Sequence, residues 1–199
     1  GEVRRLEVEH LRKVFGEKKF DTLLTERVAS GCRGFEEQKA YITQALGGHD
    51  VSLQMIKAGP RRSLHFQPEN VAAAIVTCGG LCPGLNSVIR ELVMMLDTYG
   101  VKKIYGIKGG YKGVVNPRTW LTLTPENVKE IHMKGGSLLV SDRGNPPHIE
   151  MAKVLKSKGV RQYFVLGGDG TQKGAYQTYE KMQEIGWECA VVGVPKTID

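Results

Sequence analysis

From about residue 70 onward, the sequence repeats one pattern: a short apolar run, a glycine-bearing loop, and a segment with helical periodicity. Val71–Thr77 is apolar with few polar breaks, as a buried parallel strand requires. Ser87–Tyr99 carries its apolar residues on one helical stripe. The same reasoning predicts strands at Lys103–Ile107, Ser137–Val140, Tyr163–Leu166 and Cys189–Val194, and helices at His148–Lys156 and after Gly170 as far as Gly186.

A chain of alternating strands and helices predicts an α/β fold with a doubly wound parallel sheet. A further helix is predicted to open at Thr124, because an N-cap threonine, Pro125 at the first helical position and an acidic Glu126 follow one another. Ligands of such sheets bind at the carboxyl ends of the strands. The glycine-rich loops of this sequence fall at those ends.

Residues 1–69 differ from the rest, because they are rich in charge and show only weak helical patches, at Val8–Phe15 and Phe35–Leu46. We therefore predict a basic, partly helical N-terminal extension over 1–69 and an α/β domain over 70–199. The net charge of +7 is dispersed, with Lys and Arg interleaved with Asp and Glu. That distribution favours an enzyme with phosphate ligands over a nucleic-acid-binding protein.

The four cysteines form no CxxC pair, and no His/Cys cluster has the spacing of zinc ligands. Reduced thiols in a cytoplasmic protein, or in a plastid, fit this usage better than disulfides. No apolar run is long enough to cross a bilayer, so we expect no membrane partner. The chain begins with Gly rather than Met, and a removed targeting peptide would leave no trace.

The first loop, Thr77–Asn86, reads TCGGLCPGLN. Its glycines allow a close approach of the backbone to a ligand, and the following helix would add the positive end of its dipole. Both features suit a phosphate. A tight strand-to-helix turn without a ligand explains the glycines equally well.

The second loop, Gly167–Thr171, places Asp169 between glycines at a strand end. No neighbouring side chain covers this carboxylate, which suits Mg²⁺ shared with nucleotide phosphates. Thr171 would cap the helix or contact a phosphate. An Asx turn is the structural alternative.

Two further polar segments follow predicted strands. In Ser141–Gly144, Arg143 is placed to reach phosphate oxygens, although most loop arginines are solvated. In Pro195–Asp199, Asp199 is a candidate general base toward a sugar hydroxyl, with the N-cap of a next helix as the alternative.

The segments TCGGLCPGLN, SDRG, GGDGT and PKTID, in this order and spacing, resemble those of the phosphofructokinases. The resemblance extends over about residues 58–199 and includes Ala58–Arg61, which is similar to a segment of the plant enzymes. It implies the Rossmann-like N-terminal domain of that family. Family members continue beyond PKTID into a half that supplies most sugar-phosphate contacts, so we expect this chain to be an N-terminal portion, inactive alone.

The resemblance implies a role for each matching residue. Asp199 matches the base that deprotonates the 1-hydroxyl of fructose 6-phosphate, Thr197 and Ile198 match substrate-binding positions, and Asp169 matches the magnesium-associated aspartate. Arg143 would also stabilise charge on the transferring phosphoryl group, and Tyr111 matches a position near the nucleotide, with a core role as the alternative. The nucleotide-contacting matches are Gly80, Arg143, Gly144, Gly168, Asp169, Gly170 and Thr171.

Two positions bear on the phosphoryl donor. Gly170 leaves room for the α-phosphate of ATP, whereas Lys196 is similar to the pyrophosphate-dependent branch. The combination resembles plant and trypanosomatid ATP enzymes, so we predict an ATP-dependent 6-phosphofructokinase of glycolysis with Mg²⁺. The resemblance also implies a homo-oligomer, a dimer or tetramer, with allosteric control. The alternatives are pyrophosphate as donor, a non-catalytic nucleotide-binding subunit, or another GGDG kinase acting on a lipid or on NAD.

Overall fold

The computed structural model describes residues 20–21 and 63–196. The chain divides into two compact units, Gly1–Phe66 and Gln67–Asp199. In the first unit, strand β1 (Phe20–Asp21) pairs antiparallel with strand β2 (Ser63–Leu64). The predicted helical patches of the N-terminal extension lie outside the described residues.

The second unit is built on a five-stranded sheet in the order β5-β4-β3-β6-β7. Four strands are parallel, and the short edge strand β5 runs antiparallel to β4, so the sheet is mixed. The strand bounds are β3 Ala72–Thr77, β4 Lys103–Ile107, β5 Leu121–Thr122, β6 Val160–Gly167 and β7 Ala190–Pro195.

Helices cover both faces of this sheet, as a doubly wound α/β fold requires. All six residues of β3 are buried, although successive side chains of a strand point to opposite faces. Ala72, Ala74 and Val76 share one core with residues of the helices on that face. The helix bounds are α1 Leu85–Thr98, α2 Gly110–Val114, α3 Pro125–Val128, α4 His148–Ser157 and α5 Asp169–Glu184.

The course of the chain creates a switch point between β3 and β6. From β3 the chain crosses α1 to its neighbour β4 on one side, and from β6 it crosses α5 to β7 on the other side. The connections therefore leave β3 and β6 in opposite directions and open a crevice at the carboxyl ends of these two strands. The predicted fold class is confirmed, and the crevice is its functional consequence.

The predicted strand at Ser137–Val140 is wrong. The segment turns instead: the Val140 amide donates to the carbonyl of Ser137, and Val140 has a φ of 53°, in the left-handed region. A β-branched residue rarely adopts that conformation, and no strand contains it. Polar anchors hold the turn, because the Asn86 side chain bonds both the Lys134 carbonyl and the Leu138 amide.

The helix start predicted at Thr124 is confirmed by a capping box. The Thr124 hydroxyl accepts from the Asn127 amide, and the Asn127 side chain accepts from the Thr124 amide. The helix nevertheless ends at Val128, and a 3₁₀ turn at Ile131–Met133 follows. No helix in the described ranges is long and apolar enough to cross a membrane.

Helix α2 depends on a glycine that no other residue can replace without strain. A Cβ at Gly113 would lie 1.9 Å from the carbonyl oxygen of Lys108, a backbone atom that cannot rotate away. We therefore expect Gly113→Ala to lower the free energy of unfolding by about 3 kcal/mol, at the upper end of the range for overpacking. Urea unfolding followed by tryptophan fluorescence measures this change.

Gly135→Ala is the matched control, because a Cβ at Gly135 meets nothing within 4 Å. Its effect should stay within about 0.5 kcal/mol, as for most surface substitutions. Equal stability of the two variants would contradict the close packing of α2 against the end of β4.

Candidate functional site

A cleft of about 590 Å³ lies at the carboxyl ends of β3 and β6, at the switch point of the sheet. All the predicted nucleotide residues and Lys196 line it, although they come from four separate segments of the chain. Thr197, Ile198 and Asp199 lie outside the described residues. The predicted residues that line the cleft are Gly80, Arg143, Gly144, Gly168, Asp169, Gly170, Thr171 and Lys196.

The loop after β3 presents the backbone of two glycines to the cleft. Gly79 has a φ of 79°, which favours glycine, and a Cβ at Gly80 would meet nothing within 4 Å. Two contacts fix this loop: the Ser141 hydroxyl donates to the Gly79 carbonyl over 2.5 Å, and the Lys196 ammonium donates to the Gly80 carbonyl. The loop is therefore held open from both sides, with room for a ligand above Gly80.

The loop after β6 leads directly into helix α5. Asp169 and Gly170 occupy the first two helical positions, where amides have no intrahelical partner and the helix dipole is positive. The loop is closely packed, since a Cβ at Gly167 would lie 2.4 Å from the Thr171 side chain. These features favour an anion at this helix start. The sequence assigned that contribution to the helix after the first loop, but no residue of α1 lines the cleft.

Tyr111 supports the second loop from below. Its side chain is buried, and its hydroxyl donates to the Thr171 carbonyl over 2.6 Å. Gly174 leaves room for the ring, because a Cβ there would lie 2.8 Å from a ring carbon. Burial raises the pKa of Tyr111, so the phenol stays protonated and can donate this bond. Tyr111 is buried and also lines the cleft, so its position fits both predictions made for it.

The loop that carries Arg143 is anchored on its neighbours. The Gly79 amide donates to the Asp142 carbonyl over 3.2 Å, and the Lys112 ammonium lies 3.1 Å from Oδ2 of Asp142. The side-chain bond from Lys112, with the Arg143 amide as second cause, holds the pKa of Asp142 below its ordinary value. Asp142 is therefore a carboxylate at neutral pH. Arg143 itself is exposed toward the cleft.

The exposed carboxylate of Asp169 fits a magnesium ion that arrives together with phosphates. Among the described residues, no group of three or more His, Cys, Asp or Glu side chains is placed to hold an ion. Asp169 and Asp142 line the cleft, and Asp142 already bonds Lys112 and the Arg143 amide. Asp169 is exposed, and Mg²⁺ in nucleotide sites uses one or two carboxylates together with phosphates and water.

Sequence reasoning assigned no role to four cleft residues, Leu81, Asn145, Cys78 and Asp142. Leu81 is 65% exposed and is the one large aliphatic side chain among the lining residues of this cleft. Leu81 directly follows Gly80, and Asn145 directly follows Gly144. This adjacency to a predicted residue is the signal that could have identified them. Cys78 extends the buried strand β3, and its burial hides it from any pattern based on polarity.

The fold and the cleft define a doubly wound α/β protein with a ligand crevice at its switch point. The family model for phosphofructokinase matches residues 72–199. The chain belongs to the phosphofructokinase family, a family of enzymes.

Curated relatives agree with this assignment. The chain is 46% identical, over 144 residues, to a protein named ATP-dependent 6-phosphofructokinase 4, chloroplastic, from Arabidopsis thaliana; the match covers 72% of this chain and 27% of the relative. It is 44% identical, over 153 residues, to the ATP-dependent 6-phosphofructokinase of Borreliella burgdorferi, covering 75% of this chain and 34% of the relative. The chain thus spans about a third or less of the length of these relatives.

Solved structures share the fold. A pyrophosphate-dependent phosphofructokinase from Marinobacter aquaeolei superposes with a TM-score of 0.60 at 18% identity, covering 64% of this chain and 33% of the other. Phosphofructokinase from Saccharomyces cerevisiae gives a TM-score of 0.58 at 23% identity, covering 65% and 20%. At these identities the likeness establishes the architecture alone.

The cysteines of the described residues carry free thiols with different environments. Burial raises the pKa of Cys78 to about 12 and also raises the pKa of Cys189, whereas Cys82 is partly exposed. Because the thiolate is the reactive form, iodoacetamide at pH 8 should alkylate Cys82 and leave Cys78 and Cys189 unmodified. Peptide mass spectrometry identifies the sites.

Alkylation in denaturant, where all the thiols are accessible, is the control for complete reactivity. Rapid modification of Cys78 in the folded protein would contradict its burial beneath the cleft.

Proposed function

We propose that the protein containing this chain transfers a phosphoryl group from ATP to the 1-hydroxyl of fructose 6-phosphate. The products are fructose 1,6-bisphosphate and ADP. The observation that carries the proposal is the convergence of four sequence segments on one cleft at the switch point of the sheet. Membership of the family, and relatives named ATP-dependent 6-phosphofructokinases, support the reaction class.

On the donor side, the chain supplies positioning and positive charge. Gly80 and Gly168 present backbone, the start of α5 presents the amides of Asp169 and Gly170, and Thr171 lies within that first turn. Arg143 and Gly144 close the opposite wall of the cleft. Phosphoryl transfer needs little covalent work from a protein, so a site built from amides, a guanidinium and glycines suits it.

Asp169 is the residue that would hold Mg²⁺ together with the donor phosphates. Its position at the first turn of α5 places one carboxylate beside helix amides that attract anions. When bound, the ion would neutralise charge on the phosphate oxygens during transfer. Arg143 would act on the same charge from the facing loop.

On the acceptor side, Asp199 is the proposed general base, with Thr197 and Ile198 binding substrate. Lys196 ends the described chain inside the cleft, where its amide donates to the Gly167 carbonyl over 3.0 Å. A carboxylate there would accept the proton of the attacking hydroxyl.

ATP is the proposed donor because of the space at Gly170. A Cβ at Gly170 would meet nothing within 4 Å, and Leu81 offers an exposed apolar surface that a nucleoside would cover. Pyrophosphate is the second candidate, favoured by Lys196, whose ammonium reaches the Gly80 carbonyl in the cleft. A non-catalytic nucleotide-binding subunit is disfavoured, since such a subunit does not need the base Asp199.

The remaining proposals concern the cellular form of the protein. We infer a homo-oligomer, a dimer or tetramer, with allosteric control, as the family resemblance implies. The proposed location is cytoplasmic, with a plastid as the alternative; two of the relatives are named chloroplastic.

Removal of the proposed base should abolish turnover while preserving binding. In the full-length gene product, we expect Asp199→Asn to lower kcat by about a thousandfold, because general-base catalysis contributes about 10²–10⁴-fold. The KM for ATP should stay near that of the wild type. A coupled assay of fructose 1,6-bisphosphate formation with Mg²⁺ measures both constants, with ATP and pyrophosphate compared as donors.

Wild-type turnover with pyrophosphate in place of ATP would transfer the proposal to the second donor. A wild type that binds ATP and turns over neither donor would identify a non-catalytic subunit. An Asp199→Asn variant with more than about a tenth of wild-type activity would exclude Asp199 as the base.

A carboxylate at position 170 should discriminate against ATP. Gly170→Asp has room in the free protein, and an acidic residue in the first turn of a helix is favourable, so the variant should fold. We expect its kcat/KM for ATP to fall by about a hundredfold through like-charge repulsion and loss of space for the α-phosphate. Steady-state kinetics with ATP tests this.

Gly170→Asn is the matched control, because it adds the same bulk without the charge. A loss of kcat/KM in both variants would assign the effect to size, whereas a loss confined to Gly170→Asp would assign it to charge. An unchanged kcat/KM for ATP in Gly170→Asp would contradict the placement of the α-phosphate beside residue 170.

A further inference from the structure

One acidic side chain of the cleft has no role in the proposed reaction. Asp142 lies next to Arg143, lines the same cleft, and is 48% exposed. The charged lining residues are Asp142, Arg143, Asp169 and Lys196, so two acidic and two basic side chains cancel formally. A cleft of zero net charge attracts a polyphosphate poorly. A neighbouring positive charge that compensates Asp142 would correct this.

Lys112 supplies that charge from outside the lining of the cleft. Its Nζ lies 3.1 Å from Oδ2 of Asp142, while Oδ1 accepts the Arg143 amide over 2.6 Å. The two side chains are 30 residues apart in the chain and come from different segments. Lys112 belongs to helix α2 and is not among the residues that line the cleft.

Two glycines give the lysine its place. Gly144 has a φ of 141°, and a Cβ there would lie 2.4 Å from Cε of Lys112. Gly110 has a φ of 62°, and a Cβ there would lie 2.7 Å from the Asp142 carbonyl oxygen. The methylene chain of Lys112 therefore lies directly on the backbone of the loop that carries Arg143. The close packing directs its ammonium group to Asp142.

Several bonds hold the loop in addition to this ion pair. Ser141 donates to the Gly79 carbonyl, the Gly79 amide donates to Asp142, and the Gly109 amide donates to Val140 over 2.9 Å. These bonds hold Val140 and Asp142 through their backbone carbonyls and Ser141 through its hydroxyl. Exposed ion pairs, moreover, contribute little to folding. The contribution of Lys112 must be sought in the charge of the cleft.

We propose that Lys112 is a positioning residue for the phosphoryl donor, which acts by neutralising the Asp142 carboxylate in the donor cleft. The inference rests on the proposed function, because it requires a polyphosphate in this cleft. Without Lys112, the bare carboxylate repels the donor phosphates. Without both side chains, the repulsion and its compensation disappear together.

The test compares Lys112→Met, Asp142→Asn and the double variant in the full-length gene product. Dissociation constants for ATP and for inorganic tripolyphosphate are measured by titration calorimetry at low ionic strength. We expect Lys112→Met to weaken both ligands by about fivefold, the effect of one unit charge a few ångströms away in water. Asp142→Asn, whose amide oxygen still accepts the Arg143 amide, should bind as tightly as the wild type or more tightly.

The double variant is decisive, because it should return to within about twofold of the wild type, and the loss in Lys112→Met should shrink in 0.5 M salt. Lys103→Met is the matched control. Lys103 is exposed at the amino end of β4, whereas the cleft lies at the carboxyl ends of the strands. This substitution should change neither dissociation constant.

Three outcomes overturn the inference. If the double variant stays as weak as Lys112→Met, the lysine contacts the donor itself. If all three variants weaken binding equally and salt has no effect, the ion pair acts by holding the shape of the loop and not by changing the charge of the cleft. If the wild type binds neither ATP nor tripolyphosphate, the proposed function fails as well, which distinguishes that failure from the first two.

Discussion

The parallel pairing of β3 with β6 is the interaction on which the remaining structure depends. It runs from Ala72 to Thr77 on one strand and from Val160 to Leu166 on the other, in the interior of the sheet. Both strands are largely buried, so the register is fixed by apolar packing. Because the two strands are parallel, their carboxyl ends meet at one edge. The cleft exists because the chain leaves these two ends in opposite directions.

The second constraint on the cleft is the close packing of its loops against neighbouring side chains, which requires glycine at the points of contact. The loop after β3, the segment that carries Arg143 and the loop after β6 line the cleft. Glycines there let backbone lie against side chains, as at Gly144 and Lys112 or at Gly167 and Thr171. A Cβ at either glycine would lie 2.4 Å from its neighbour, a distance that real contacts do not reach. The site therefore gains its shape from missing side chains. Its charges come from the few polar residues that remain, Arg143, Asp142, Asp169 and Lys196.

The sequence predicted the parallel strands and the long helices because each carries a periodic apolar pattern that tertiary packing then uses. It failed at Ser137–Val140, where Val140 adopts a left-handed φ that no apolar run reveals. It also missed β5, since two residues paired antiparallel at an edge leave no period to detect. Cleft residues after β3 and β6 could be predicted because they follow strands, whereas Arg143 and Gly144 line the cleft although the strand predicted before them is absent. The pairing of Lys112 with Asp142 joins positions 30 residues apart and lies beyond any local pattern.

The order of the strands determines which segments surround the proposed donor and which segment carries the proposed base. The interior strands β3 and β6 carry the loops that surround the proposed donor, where rigid placement of amides matters most. The proposed base follows β7, which within the described residues pairs only with β6 and is partly exposed along its length. Lys196 adds two hydrogen bonds that hold the end of β7: its amide donates to the Gly167 carbonyl, and its ammonium donates to the Gly80 carbonyl. One residue thus ties the end of β7 to both interior loops. Both bonds are internal to the chain, so Lys196 would support the cleft of an ATP enzyme and of a pyrophosphate enzyme alike.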